Sequence, residues 1–154
     1  MSQQKRALIT GITGQDGAYL AQFLLDKGYA VHGLVRRSST AENALVRLKW
    51  LGIANDVNLV DGNLTDLSSL IRIITEIQPE EVYNLAAQSF VKTSWDQPLL
   101  TAQVTGVGAL NVLEALRIEK PDARFYQAST SEMFVKIQQP EQNELTPFYP
   151  RSPL

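Results

Sequence analysis

Cysteine is missing from all 154 residues, which excludes disulfides and thiolate metal sites and leaves no sign of the redox compartment; no metal is expected. Charge of one sign is also missing. Fourteen basic against sixteen acidic residues give a net charge of −2, too little for a nucleic-acid surface although compatible with a small basic pocket. No run approaches the eighteen or so apolar residues of a membrane span, and Met1-Ser2-Gln3-Gln4-Lys5-Arg6 has no apolar core of signal-peptide length behind it. Neither nucleic acid nor membrane is expected as a partner, and the cytoplasm is the default location. Internal repeats and low-complexity linkers are absent too. What remains is 44% apolar and 19% charged, the composition of one globular domain with a real core.

The most informative stretch is Leu8-Ile9-Thr10-Gly11-Ile12-Thr13-Gly14-Gln15-Asp16-Gly17, an apolar strand breaking into a turn with glycines at three-residue intervals. Glycine at the turn permits positive φ, the second lets a pyrophosphate approach the backbone, and the third lets helix and strand pack closely. A helix starting near Gln15 then aims its unpaired N–H groups and positive dipole end at the phosphates. Glycines also mark ordinary turns, so context carries the weight. Tyr19, Leu20, Phe23 and Leu24 recur at helical spacing downstream, and Lys27-Gly28 supplies a basic last turn and a C-cap. Together these features indicate a dinucleotide site.

Short β-rich runs alternate with helical patterns along the chain. Strands are expected at Arg6–Thr10, Ala30–Val35, Val57–Val60, Glu81–Leu85 and Arg124–Ala128, and helices at Asp16–Lys27, Glu42–Trp50, Leu67–Ile77 and Leu99–Ile118. Asp66 is a candidate N-cap, and Gln78-Pro79 ends the third helix. This alternation implies right-handed crossovers, hence an α/β, Rossmann-type doubly wound parallel sheet with strand order 3-2-1-4-5. Residues 1–135 read as the nucleotide-binding domain. Residues 136–154 read as a polar, proline-rich loop leading to no further element, as in a severed chain.

The end of the second strand selects the nucleotide, because an acidic residue there bonds the ribose hydroxyls of NAD whereas arginine suits the 2′-phosphate of NADP. This chain has Arg36-Arg37-Ser38-Ser39 and no carboxylate. NADP is therefore expected, with forked guanidinium bonds supplemented by hydroxyls; a solvated basic turn is the bland alternative. Asn63, with Leu64, is placed to read the adenine edge after the third strand, while Asp61 reads equally as a turn residue. Leu85-Ala86-Ala87-Gln88-Ser89 closes the fourth strand with small side chains that leave room for ribose or nicotinamide, although Ala86 and Ala87 serve helix packing equally well. His32, in the second strand, is assigned a structural role.

Five stretches carry a family resemblance: Gly11-Ile12-Thr13-Gly14-Gln15-Asp16-Gly17, Val31–Ser39, Tyr83–Ser89, Phe125-Tyr126-Gln127-Ala128-Ser129-Thr130-Ser131-Glu132-Met133-Phe134, and Thr146-Pro147-Phe148-Tyr149-Pro150-Arg151-Ser152-Pro153. In these the chain resembles the N-terminal part of extended short-chain dehydrogenase/reductases, and more narrowly the GDP-mannose 4,6-dehydratase family. The resemblance implies an NADP-dependent lyase converting GDP-mannose to GDP-4-keto-6-deoxymannose, on routes such as that to GDP-fucose. It also implies a homo-oligomer, built in the family on the Leu99–Ile118 helix together with the helix that follows the tyrosine. It assigns Glu132 as the group that removes the C5 proton and Thr130 as the hydroxyl bonded to sugar O4, the two sharing a side if the segment stays extended. From sequence alone, Ser129-Thr130-Ser131-Glu132 reads equally as a helix cap.

Three departures stand out. The family continues past Arg-Ser-Pro with Tyr-Gly-x-x-Lys, whereas here Leu154 holds the tyrosine position and Tyr149 has no lysine partner. Turnover by these residues alone is not expected. Val135 replaces a usual glycine, which matters if that position needs positive φ. Asn63 replaces a common aspartate. A non-catalytic nucleotide-binding or interaction module derived from the enzyme is the alternative reading.

Overall fold

The computed structural model describes residues 4–36 and 45–154. Its centre is a five-stranded parallel sheet, β1 (Arg6–Thr10), β2 (Ala30–Val35), β3 (Asn58–Asp61), β4 (Glu81–Asn84) and β5 (Arg124–Gln127), in the order β3-β2-β1-β4-β5. The order agrees with the sequence-based expectation, with β3 shifted by one residue and β4 and β5 each one residue shorter. Because the chain builds outward from β1 first to one side and then to the other, the ends of β1 and β4 diverge and open a crevice.

Alternation along β1 explains the two-layered core. Ala7 and Ile9 face one side and join Ile12, Ala18, Ala21, Leu24, Val31 and Leu48 beneath helices α1 (Gln15–Asp26) and α2 (Val46–Trp50). Leu8 faces the other and joins Leu70, Ile73, Ile74, Val82, Val112 and Leu116 beneath α3 (Leu67–Ile77) and α5 (Pro98–Glu119). Each buried leucine, isoleucine or valine among these stabilises the fold by roughly 1.5–3 kcal/mol, and both faces of the strands must be apolar because helices cover both.

Local chemistry sets the helix ends. Asp66 caps α3 by accepting from Ser68 N–H at 3.0 Å, and the Ser68 hydroxyl holds its carboxyl below the usual range. Gln78 turns left-handed at φ 50° just before Pro79 and stops the helix at Ile77, as expected. Among the described residues the second helix is only Val46–Trp50; the earlier part of the expected Glu42–Trp50 span is mostly outside them. An unexpected short helix, α4, occupies Val91–Asp96. Helix α5 is one residue longer at each end than expected and carries a π-turn at Ala102–Val107. By length and composition it could cross a membrane, yet Val112, Ala115 and Leu116 pack on α3 and the sheet while Leu99, Leu110 and Ile118 stay exposed.

The N-terminal ends of the strands are lashed by charge. Arg6 Nη2 donates to Glu80 Oε1 at 2.7 Å, and this bond holds the Glu80 carboxyl down at about 2. Buried Glu81 accepts from the hydroxyls of Tyr83 and Tyr29 and pairs with Arg124. His32 lies mid-strand between Leu8 and Asn58, where burial and then the Arg6 charge lower its pKa.

Candidate dinucleotide site

The β1–α1 turn has the sterics its glycines foreshadow. Gly11 sits at φ +72°, and a Cβ there would lie 2.8 Å from Ala86 N; a Cβ on Gly17 would lie 2.3 Å from Gly11 O and 2.7 Å from Ile12 Cα. Gly14 N donates to Gly11 O at 2.9 Å, closing the turn. Gly14 is also the N-cap of α1 and offers no side-chain oxygen, so the first helical amides, from Gln15 onward, have no side-chain cap. Bare backbone with uncapped N–H groups is a fitting surface for an anionic diphosphate.

Beside the turn lies a cavity of about 390 Å³ at the sheet's switch point. Of the residues singled out from sequence, Gly11, Thr13 and Gly14 form its floor, and Arg36, Asn63 and Leu64 line one side. Leu85, Ala86, Ala87 and Ser89 line the other. Gln15, Asp16, Gly17 and Gln88 are not among its lining. Gly17 is buried as packing, Gln15 faces a smaller hollow with Tyr19 and Trp50, and Asp16 is exposed. The Gln88 side chain turns to Phe90 N–H and O and to Thr101 Oγ1, tying the loop after β4 to α5. Arg37, Ser38 and Ser39 lie outside the described residues. Sequence reasoning passed over Val104, because a wall built by a π-turn leaves no periodicity to read, and over Leu34, Val35 and Gly62, which adjoin the residues it singled out.

Asn63 directs its Oδ1 to Thr65 N–H at 3.2 Å, so its amide nitrogen is the group left to face a ligand. Arg36, Asp61 and Asn63 share a second, smaller hollow at the same corner. No carboxylate follows Val35 directly, and Arg36 stands there instead.

A transverse chain of side-chain bonds connects the turn to β5. Thr10 Oγ1 accepts from Ala86 N–H at 3.1 Å and donates to Asn84 Oδ1 at 2.5 Å, while Asn84 Nδ2 donates to Gln127 Oε1 at 2.7 Å. Thr10 and Asn84 are fully buried, so every polar atom in this row needs its partner.

Beyond β5 the expected extended segment is replaced by a 3₁₀ turn, Ser131–Phe134. Of the two readings the sequence leaves open here, the cap forms and the strand alternation of Thr130 and Glu132 does not. Thr130 is instead the cap of the turn, its Oγ1 accepting from Glu132 N–H at 3.1 Å, which leaves the hydroxyl proton free to be donated. Thr130 opens onto a cavity of about 510 Å³ shared with Thr105 and Gly106 of α5 and with Ser152 and Leu154. Glu132 accepts from Ser152 Oγ at 2.8 Å. The tail folds back through Tyr149 N–H to Met133 O at 2.7 Å and an edge-on Phe134–Phe148 contact. Val135 is right-handed helical at φ −60°, so no glycine is needed there.

A doubly wound parallel sheet of this order, with the glycine turn at its switch point, is a Rossmann-type domain of the kind found in nucleotide-sugar epimerases. The Thermus thermophilus UDP-glucose 4-epimerase, solved in complex with NAD, superposes with a TM-score of 0.81 at 29% identity, covering 96% of this chain and 45% of that one. A profile of the GDP-mannose 4,6 dehydratase family matches residues 8–154, and the chain belongs to that family. The Yersinia enterocolitica GDP-mannose 4,6-dehydratase is 54% identical over 97% of this chain and 41% of its own length. The human GDP-mannose 4,6 dehydratase is 52% identical over 96% and 41%. The chain thus spans about two fifths of the length of these relatives.

Proposed function

We propose that this chain is the NADP-binding part of a GDP-mannose 4,6-dehydratase, with residues 1–135 holding the cofactor and residues 136–154 forming a loop that closes on the reacting end. The observation that carries the reading is the cavity joining the bare glycine turn to Arg36, with no carboxylate at the end of β2. Gly11, Thr13, Gly14 and the first amides of α1 would hold the diphosphate. Arg36, with Arg37, Ser38 and Ser39 by sequence, would hold the 2′-phosphate through charge-assisted bonds.

When bound, NADP supplies the hydride acceptor and donor that carries a hydrogen from C4 of the mannose to C6. Thr130 donates its hydroxyl proton toward the sugar O4, its oxygen already engaged by Glu132 N–H. Glu132 takes the C5 proton once the 4-keto group has acidified it and returns a proton to the departing 6-hydroxyl, so that water leaves. The conversion is GDP-mannose to GDP-4-keto-6-deoxymannose.

No Tyr-x-x-x-Lys occurs among the 154 residues, so the 4-hydroxyl lacks its base here; loss of such a group costs on the order of 10²–10⁴ in rate. The chain alone therefore binds cofactor without turnover. A second reading, a non-catalytic nucleotide-binding or interaction module, draws support from the exposed outer face of α5, where Leu99, Leu110 and Leu113 are unpartnered in the single chain. The same face supports self-association. The test is titration calorimetry with NADP and NAD on a sample whose mass has been read by light scattering. Saturable binding tighter for NADP, a mass above 17.1 kDa and no 4-keto product are expected. A folded sample silent toward NADP refutes the cofactor reading, and robust product formation refutes the account of turnover.

A further inference from the structure

Helix α2 contributes one contact to the phosphate turn that neither glycine spacing nor family resemblance identifies. Arg47 Nη1 donates to Thr13 O at 3.0 Å, across thirty-four residues of sequence. The carbonyl of Thr13 and the N–H of Gly14 belong to one peptide unit. The N–H end of that unit is pinned by Gly11 O at 2.9 Å and the C=O end by the Arg47 guanidinium. The orientation of the turn's middle peptide is thus fixed from both sides.

Thr13 also lines the cavity that holds Arg36 at its rim. A permanent positive charge is consequently anchored one hydrogen bond behind a cavity residue, its own side chain bordering the neighbouring hollow with Gln15, Tyr19 and Trp50. A backbone carbonyl needs only a neutral donor to satisfy it, and a glutamine or asparagine would serve. Arginine there adds a charge that the carbonyl does not require. Its natural counterpart is an anion in the adjoining cavity, and the dianionic 2′-phosphate is the group that separates NADP from NAD.

We infer that Arg47 is a specificity-determining residue for the cofactor: through its bond to Thr13 it shapes the turn for any dinucleotide, and through its charge it favours the 2′-phosphorylated one. The inference rests on the NADP reading above. The two contributions separate by chemistry. Glutamine keeps a donor for Thr13 O and removes the charge, lysine keeps the charge with a compact head group, and alanine removes both.

The experiment is calorimetric titration of the unchanged chain and of Arg47→Gln, Arg47→Lys and Arg47→Ala with NADP and with NAD, at low and at high salt. Arg47→Gln is expected to weaken NADP about fivefold, the upper size for a solvent-exposed charge interaction, while changing NAD less than about twofold. Arg47→Lys keeps NADP within about threefold, and Arg47→Ala weakens both cofactors, NADP more. Because Arg47 is exposed, the difference between the unchanged chain and Arg47→Gln shrinks as salt rises. Equal weakening of NADP and NAD in Arg47→Gln overturns the specificity role and leaves a turn-shaping arginine. No change in either cofactor overturns it as well. Absence of NADP binding by the unchanged chain is a different failure, since it removes the cofactor reading itself; circular dichroism on each variant confirms that it is folded.

Discussion

The β1–α1 turn and the segment from Thr130 to Leu154 line two separate cavities, and they are held in opposite ways. The turn is fixed by backbone sterics: glycines sit where a Cβ would overlap main-chain atoms, and Ala7–Thr10 of the strand leading into it are fully buried. The segment after β5 is fixed near the surface by one main-chain bond, Tyr149 N–H to Met133 O, and by side chains, a Thr130 cap, a Ser152–Glu132 bond, and Phe134 against a largely exposed Phe148. Where a cofactor shared by a large class of enzymes would sit, the structure leaves little freedom. Where the particular chemistry would happen, position depends on contacts worth little individually.

The sharpest way to break this contrast is Gly17→Val. Its side chain has no space against Gly11 O and Ile12 Cα, so the turn and α1 must separate, and overpacking of this kind costs about 3 kcal/mol. The urea midpoint reads it. A loss below about 1 kcal/mol would mean the turn yields as easily as the tail.

Acid titration tests the base of the same sheet. Folded Glu80 titrates at about 2 against an ordinary 4.5, a depressed carboxylate. Its contribution is complete above about pH 4.5, fades as pH falls, and is gone once pH passes below about 2, because the unfolded chain binds the proton first. Urea midpoints of the unchanged chain and Glu80→Gln should therefore converge between pH 7 and pH 3. A constant gap would show that the Arg6–Glu80 pair has no linkage to folding.

The smallest effect is expected from Ser152→Ala. The bond to Glu132 is near the surface, so the melting midpoint should correspond to a change within about 0.5 kcal/mol, while trypsin should cut faster after Lys136 and Arg151. A large drop in the melting midpoint would place the tail on the same footing as the turn.

The legibility of the molecule follows the same division. Helix α3 was readable to the residue because Asp66 and Gln78-Pro79 punctuate it, and the sheet order followed from alternating patterns that both cores enforce. The glycine turn was readable because few residues tolerate its geometry. Helix α4 escaped because six residues give no periodicity, whereas the turn after β5 was legible as one of two readings, since a threonine followed by a glutamate suits a strand end as well as a cap. Gln88 was placed in the site by position, but its amide is spent on Phe90 and Thr101. Arg47 was illegible because its partner is a carbonyl in another element, and carbonyls carry no sequence signature.

The π-turn at Ala102–Val107 has a consequence for the helix that contains it. One surplus residue in a coil of 3.6 per turn advances everything downstream by about 100°, so the two ends of α5 are written in different reading frames. Leu99 and Leu100 point to solvent in the first frame, whereas Val112, Ala115 and Leu116 meet α3 in the second. Between them Thr105 reaches Gln88 N–H at 3.1 Å. Losing one residue from that turn would rotate the later half off its seat, so the irregularity is what lets a single rod serve two differently oriented walls.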